Sequence, residues 1–206
     1  MEQFQRYAKH CYVPVISFLD LCTCVFHQSV CLCVHHRETI EKEVLVLQIN
    51  QIGPEGAKAL GPHLAAMSSL HGLGIQSNEL GPEGAEALAA HLASIPALMT
   101  IYLQGNNIGA EGAKALGPYL PQMRYLEEIG LQGNSIGAEG AADLAAHLPG
   151  ISSMHSLYLQ GNNFGDEGVR DLVPSLAAMP ALRLLGLQGN GIGAVGAVAL
   201  GCTCRP

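Results

Sequence analysis

The chain has 206 residues, a formal net charge of −7 and only 13% charged residues. This length is that of one domain with extensions, and the composition includes 25 glycines and no tryptophan. The ten lysines and arginines are scattered, so no basic stripe is present to neutralise phosphates, and we expect no nucleic acid partner.

Residues 1–40 form an N-terminal extension that is rich in cysteine and apolar side chains. Within it, residues 12–34 are mostly apolar and about long enough to cross a bilayer. Asp20 lies near the middle of this segment and costs roughly 2.5–3.5 kcal/mol on insertion scales. The sequence therefore favours a poorly packed or buried extension, with a membrane segment at 12–34 as the alternative.

All seven cysteines lie at the two ends of the chain. They are Cys11, Cys22, Cys24, Cys31, Cys33, Cys202 and Cys204. In the pairs Cys22/Cys24 and Cys31/Cys33 the cysteines are separated by one residue, whereas structural zinc sites usually place about two to four residues between them. The odd count also argues against a complete disulfide framework. We interpret these residues as free thiols and predict no metal site.

After the extension, the chain repeats one unit with a period of 28 residues. The period is marked by asparagines at the same place in each unit. These are Asn50, Asn78, Asn106, Asn134, Asn162 and Asn190. A fixed period of this length indicates one supersecondary unit stacked many times.

The residues around each asparagine predict a short strand and a buried turn. Apolar residues recur five and three positions before it and two positions after it, which is the alternation of a half-buried strand. A buried turn leaves backbone donors and acceptors unpaired, and an asparagine side chain can satisfy both kinds. We therefore interpret the six asparagines as a structural ladder and not as a binding site.

The second half of each unit predicts a helix. Glycine recurs three and six positions after each asparagine, and leucine follows ten positions after it. A small residue also lies seven positions after the asparagine, and leucine lies fourteen positions after it in the first five units. This spacing gives a buried helical stripe. Residues such as Glu55 and Glu83 fall in the first turn, where a carboxylate interacts favourably with the helix dipole.

A longer period of two units is also present. Gly61-Pro62 and Gly117-Pro118 alternate with pairs of alanines at the same helix position, and Val173-Pro174 follows in the fifth unit. A proline inside a helix removes a backbone hydrogen bond, so we expect the helices that carry these prolines to be kinked or shortened.

Stacking a strand beside a helix makes the array curve. Neighbouring strands lie about 4.8 Å apart, whereas packed helices need roughly 8–10 Å. We therefore predict an α/β fold, a curved solenoid or horseshoe segment of strand–turn–helix units with a parallel sheet on its concave face. Residues 41–206 form this domain, with five full repeats and a truncated sixth.

The repeated unit resembles the leucine-rich repeats of the ribonuclease-inhibitor subclass. The segment Leu-Gln-Gly-Asn-Asn-Ile-Gly-Ala-Glu-Gly-Ala-Lys-Ala-Leu at 103–116 carries the resemblance, which is strongest to the repeats of NACHT-containing, NOD-like innate-immune receptors. The resemblance implies a non-enzymatic, cytoplasmic protein-interaction module that senses a ligand or acts as a scaffold. It leaves two alternatives, a GTPase-activating protein of the Ran type and a membrane-anchored repeat protein. Residues 38–52 do not reproduce the catalytic loop of the Ran-type proteins.

The predicted concave face carries the candidate site for a protein partner of unknown identity. Glutamine occurs two positions before every asparagine, including Gln104, Gln132 and Gln160. This column either contacts a partner or exchanges side-chain hydrogen bonds between strands. Tyr102 and Tyr158 stand four positions before their asparagines, among glycines and with almost no charge nearby, and we predict that they anchor the partner.

No catalytic or cofactor-binding residues are predicted. The segment Gly191-Ile-Gly193-Ala-Val-Gly196 matches a dinucleotide-binding pattern, but Gly193 and Gly196 are the glycines of every repeat. The chain also ends before a ribose-binding acidic residue could follow. We therefore expect neither an enzyme nor a cofactor.

Overall fold

The computed structural model describes residues 43–201. The extension at 1–40, its apolar segment at 12–34 and all seven cysteines lie outside the described residues, as do the boundaries of the repeat domain. The predictions made for those parts therefore stay predictions.

Strands from successive repeats form one parallel sheet in which each strand pairs with the next along the chain, in the order β1 to β6. The strands are β1 Glu43–Val46, β2 Leu70–Gly74, β3 Thr100–Tyr102, β4 Glu128–Gly130, β5 Ser156–Tyr158 and β6 Leu184–Gly186. Equivalent residues pair along the array, so that Ile101 lies beside Ile129 and Leu157.

A helix follows each strand and packs against the helices of the neighbouring repeats. The helices are α1 Gly53–Ala66, α2 Gly81–Ala93, α3 Gly109–Leu116, α4 Gly137–Ala145, α5 Gly165–Ala177 and α6 Ala194–Gly201. Short 3₁₀ helices at Gly117–Gln122 and Leu148–Gly150 follow α3 and α4. The fold is the predicted α/β solenoid, with the parallel sheet on its concave face.

The apolar core lies between the sheet and the helices. The strand residues five and three positions before each asparagine, such as Ile101 and Leu103, are buried in the first five repeats. Most helix leucines of these repeats, such as Leu88 and Leu116, are buried with them. The outward strand residues of each repeat lie outside this core, so packing in the core does not restrict which side chains occur there.

Shortening is one of the two effects that were predicted for the helix prolines. It occurs in α3, which ends before Pro118, but not in the first of these helices. Pro62 lies inside α1, which at 14 residues is not shortened. Gly61 instead gives room to a neighbour, since a Cβ there would lie 2.3 Å from His91 Cδ2. Gly117 does the same for His147, whose Cδ2 would lie 2.6 Å away. The two-unit period thus matches a small residue on one helix to a histidine on the next.

The asparagine side chains join neighbouring repeats through buried hydrogen bonds. Asn106 is fully buried, and its Nδ2 donates to the carbonyl oxygens of Ile75 at 2.9 Å and Leu103 at 3.0 Å. Its Oδ1 accepts from the backbone N–H of Asn78 at 2.8 Å. The same pattern recurs from Asn78 to Asn190. Each of these side chains therefore ties its own turn to the turn of the preceding repeat.

We expect Asn106→Ala to lower the free energy of unfolding by on the order of 1–3 kcal/mol, because it leaves buried backbone groups without partners. Asn50 provides the matched control. It is half-buried, and within the described residues its side chain donates only to its own turn, to Leu47 and Gln48. Asn50→Ala should therefore cost less. Urea unfolding followed by circular dichroism measures both values, and equal losses would contradict the ladder as the source of stability.

The residue before the first asparagine of the ladder is strained. Ile49 has φ 58° and an exposed side chain, whereas the equivalent positions in the last four repeats hold glycine. The left-handed conformation costs an L-residue roughly 1–2 kcal/mol, because Cβ crowds the following carbonyl oxygen.

We expect Ile49→Gly to relieve this strain and to raise the free energy of unfolding by about 1 kcal/mol in urea unfolding. The conformational entropy that glycine adds to the unfolded chain reduces this gain. Gly105→Ile is the reverse substitution at the same place in the third repeat, with φ 65°. A Cβ there would make only ordinary contact with Ser77 Oγ at 3.4 Å, so strain and not collision should lower stability. A loss of stability in Ile49→Gly would refute this account.

Candidate functional site

Three columns of residues cross the concave face. They lie six, four and two positions before each asparagine, and they alternate with the buried strand positions. We call them the outer, middle and inner columns. The outer column is Val44, Gly72, Thr100, Glu128, Ser156 and Leu184, the middle column is Val46, Gly74, Tyr102, Gly130, Tyr158 and Gly186, and the inner column is Gln48, Gln76, Gln104, Gln132, Gln160 and Gln188.

The two predicted tyrosines lie on either side of one glycine. In the sheet register, Gly130 pairs with Tyr102 on one side and with Tyr158 on the other. Both tyrosines are half-buried. Because neighbouring strands lie about 4.8 Å apart, the backbones of the two tyrosines are roughly 10 Å apart.

Glu128 links the two tyrosines and was not among the predicted site residues. The Tyr102 hydroxyl donates to Glu128 Oε1 at 2.6 Å. The Tyr158 hydroxyl also interacts with this carboxylate. We call these three residues the tyrosine–glutamate cluster. The prediction of a surface with almost no charge was therefore incomplete, because a carboxylate occupies its centre. Glu128 is the one charged residue of the outer column, and this departure from the column's pattern is the sequence signal that could have identified it.

The cluster shifts the ionisation of both phenols. Burial raises the pKa of the Tyr102 hydroxyl well above its ordinary value, and the hydrogen bond and negative charge of Glu128 raise it further. Burial is also the main cause that raises the pKa of Tyr158, followed by the charge of Glu128, while a hydrogen bond with Ser156 acts in the opposite direction. Both phenols are protonated at neutral pH, as ordinary phenols are, and the shifts keep them protonated further into the alkaline range.

The inner column does not form the continuous hydrogen-bonded ladder that was one interpretation of the sequence. Within residues 43–201, the Oε1 atoms of four consecutive glutamines have no hydrogen-bond partner, although each atom is buried. These residues are Gln76, Gln104, Gln132 and Gln160. A buried acceptor without a partner costs about 1–3 kcal/mol. The column therefore holds unused hydrogen-bonding capacity next to the tyrosines.

Glycines of the middle column determine where the glutamine side chains lie. A Cβ on Gly130 would lie 2.6 Å from Gln104 Nε2 and 2.9 Å from Gln132 Oε1. A Cβ on Gly186 would lie 2.2 Å from Gln160 Nε2. The side chains of Gln104 and Gln132 therefore converge over Gly130, between the two tyrosines.

Other kinds of site are not found among residues 43–201. This part of the chain has no group of three or more histidine, cysteine, aspartate or glutamate side chains placed to hold a metal ion. Its helices are too short or too polar for any of them to cross a membrane. The concave face remains the candidate site.

A comparison with protein families supports the repeat architecture. The sequence model described as Leucine Rich repeat matches six segments of the chain, one in each repeat. These are residues 43–61, 66–89, 96–117, 122–145, 151–173 and 179–201. A search of curated proteins finds no match.

Solved structures also match the chain. One is described as the crystal structure of a TLR13–ssRNA13 complex, with 14% sequence identity and a TM-score of 0.26. The match covers 70% of this chain and 29% of that chain, so this chain corresponds to less than a third of that protein. A similarity at this TM-score carries no argument about function.

The raised pKa of Tyr102 predicts a loss of stability at alkaline pH. A phenol whose pKa is higher in the folded state contributes stability that is complete below its unfolded value near 10 and is lost as the pH rises above it. We expect Tyr102→Phe, which cannot ionise, to lose less stability between neutral and strongly alkaline pH. Urea unfolding at a series of pH values measures this, and equal losses in both proteins would contradict the assignment. In ultraviolet titrations, Glu128→Gln should lower the pKa of Tyr102.

Proposed function

Because the chain belongs to the leucine-rich repeat family, we propose that it is a non-enzymatic protein–protein interaction module. Leucine-rich repeats generally mediate such interactions, and the inner surface of the solenoid offers the outward side chains that differ between repeats. We place the partner-binding site on the concave face, at Tyr102 and Tyr158 and at Gln104, Gln132 and Gln160.

The observation that carries this proposal is the combination of aromatic side chains with unpaired acceptors. Two tyrosines flank a glycine over which glutamine side chains converge, and the Oε1 atoms of these glutamines have no hydrogen-bond partner in the described chain. Tyrosine is enriched among the residues that dominate interface energies, since it combines a large apolar surface with a polar tip. A partner that covers the rings and turns the glutamine amides outward would let these buried acceptors pair with its own donors.

The chemistry of the face favours a protein partner over a nucleic acid. Its three columns contain no lysine or arginine, and their single charged residue, Glu128, is negative. Phosphate groups would therefore meet repulsion where nucleic-acid binders place cations. A folded or extended protein segment presents the donors and apolar groups that the tyrosines and glutamines require.

The resemblance of residues 103–116 to the ribonuclease-inhibitor subclass extends the proposal. We propose that the repeats act in the cytoplasm as a sensing or scaffolding segment, like the repeats of NOD-like receptors. The division into an extension at 1–40 and a repeat domain at 41–206 is part of the same proposal. The uniform 28-residue period supports it, because each unit carries the same Asn-x-x-Gly-x-x-Gly spacing.

The proposal predicts that substitutions on the concave face weaken binding without changing stability much. A photo-crosslinking amino acid at Gln132 should capture the partner, whose affinity is then measured with purified variants. Tyr102→Ala and Tyr158→Ala should each weaken the complex by roughly thirtyfold, the effect of losing about 2 kcal/mol at an interface anchor.

Three control variants test whether the effect belongs to this face. Lys58 and Lys114 are exposed on the helices, and Tyr125 is an exposed tyrosine outside the three columns. Alanine at each of these positions should leave the affinity nearly unchanged. A partner that ignores Tyr102 and Tyr158 but responds to the lysines would move the site to the helical side and refute the proposal.

A further inference from the structure

The sixth repeat leaves backbone donors unpaired at the edge of the sheet. In each of the first five repeats, the N–H groups three and one positions before the asparagine, and that of the asparagine itself, donate to the following repeat. The same groups of the sixth repeat belong to Leu187, Gly189 and Asn190. No strand of the described chain lies beyond β6, and within that part of the chain none of the three donors has an acceptor. The contact between repeats is therefore open for these groups, whereas the next donor, Gly193 N–H, is held by Asp166 Oδ1 at 2.6 Å.

The apolar packing surface of the sixth repeat is open as well. Leu187 and Ile192 are half-buried and Ala197 is exposed, whereas the equivalent residues of the fifth repeat are buried. Ala197 lies where earlier helices pack against the following repeat, as Ala141 does against Gly168. Exposed apolar surface beside an unpaired strand edge is typical of a contact with another chain. We call Leu187, Ile192 and Ala197, together with the three unpaired donors, the donor end.

The first repeat carries the matching acceptors. In the second to sixth repeats, the carbonyl oxygens four and two positions before the asparagine, and the asparagine Oδ1, accept bonds from the preceding repeat. In the first repeat these atoms are the carbonyl oxygens of Val46 and Gln48 and the Oδ1 of Asn50. Among the described residues β1 pairs only with β2, and none of the three atoms accepts a bond from another repeat. We call these three residues, with Ile49 between them, the acceptor end.

Ile49 fits the space that the donor end leaves. Its side chain is 78% exposed. At the equivalent place in the sixth repeat, a Cβ on Gly189 would lie 3.7 Å from the backbone nitrogen of Gly161 in the preceding repeat, which is an ordinary van der Waals distance. A first repeat that stacks in the same way places Ile49 against the backbone of Gly189, which has no side chain to block the contact.

We propose that copies of this chain stack head to tail, with the acceptor end of one copy on the donor end of another. The stack continues the contact that already joins the repeats, because each donor meets the kind of acceptor that its counterpart meets inside the chain. The bonds between copies join Leu187 N–H to the Val46 carbonyl, Gly189 N–H to the Gln48 carbonyl and Asn190 N–H to Asn50 Oδ1. A two-fold contact between two donor ends leaves the acceptors of the first repeat unpaired. None of these residues belongs to the partner site on the concave face, so the stacking does not depend on that site.

The size of the assembly is the first test. A head-to-tail contact uses different surfaces on the two copies, so it produces open chains or closed rings and not only pairs. Sedimentation velocity of the full chain from about 1 μM to about 1 mM should therefore show species larger than a dimer that grow with concentration. A chain that stays monomeric throughout this range overturns the proposal.

Two variants place a charge at each end of the stack. Ala197→Glu changes the donor end, and Ile49→Asp changes the acceptor end with a residue that tolerates the left-handed conformation. Each should weaken the association by roughly tenfold or more, because the contact buries a charge without a partner. Urea unfolding of both variants verifies that they remain folded.

Matched controls place the same charges outside the contact. Val198 lies on the same helix as Ala197 and is 67% exposed, at a position whose equivalents are exposed in every other repeat, so it stays at the surface of a stack. Ser77 is the equivalent of Ile49 in the second repeat and is also exposed, with φ 54°. Val198→Glu and Ser77→Asp should leave the association nearly unchanged. A loss in Val198→Glu equal to that in Ala197→Glu would move the contact to the outer side of the helix and overturn the proposal.

A mixture of the two end variants distinguishes head-to-tail stacking from a two-fold pair. Ala197→Glu keeps an intact acceptor end, and Ile49→Asp keeps an intact donor end. Variants that are monomeric alone should therefore form a pair of one copy of each when mixed, and nothing larger. A dimer that Ala197→Glu disrupts and Ile49→Asp leaves unchanged would show a contact between two donor ends and refute the head-to-tail arrangement.

Discussion

The hydrogen bonds of the buried asparagines are the constraint on which the rest of this structure depends. From Asn78 to Asn190, the turn from strand to helix passes through the interior, where water cannot satisfy its backbone groups. The asparagine of each of these repeats supplies both donors and an acceptor. Because these bonds connect each turn to the preceding one, the spacing and register of the strands follow from them. A one-residue insertion between two asparagines would misalign the strand with its neighbours and turn its apolar residues outward.

This constraint leaves variation only where neither the ladder nor the core fixes the residue. Inward strand positions remain leucine or isoleucine, whereas the outer and middle columns change from valine to glycine, threonine, glutamate and tyrosine. Glycine in these columns gives side chains of neighbouring strands room to lie across the sheet, as Gln104 does over Gly130. The arrangement of side chains on the concave face is therefore set by contacts between repeats and not by contacts within one repeat.

The difference between contacts within one repeat and contacts between repeats explains which features could be predicted from the sequence. The strand, turn and helix of each unit follow from residues close together in the chain, and the period repeats the same evidence six times. The link between Tyr102 and Glu128 joins residues 26 positions apart and depends on rotamers across two strands, which periodicity does not encode. The unpaired Gln132 Oε1 was missed for the same reason, since an unbroken glutamine column is equally compatible with bonded amides. The shortening predicted at Pro62 does not occur, since its helix continues through the proline despite the missing N–H.

A surface built from similar repeats offers a partner several nearly equivalent binding positions, and the charge of Glu128 distinguishes one of them from the others. A partner that contacts only glutamines could bind in several positions along the sheet, each shifted by one repeat and almost equal in energy. The tyrosines of the middle column reduce these positions, but Tyr102 and Tyr158 are equivalent to each other by a shift of two repeats. Glu128 lies between them and has no charged counterpart in the outer column from Val44 to Leu184. One charge therefore distinguishes the central repeats from the others, and a partner that pairs with it binds the array in a single position.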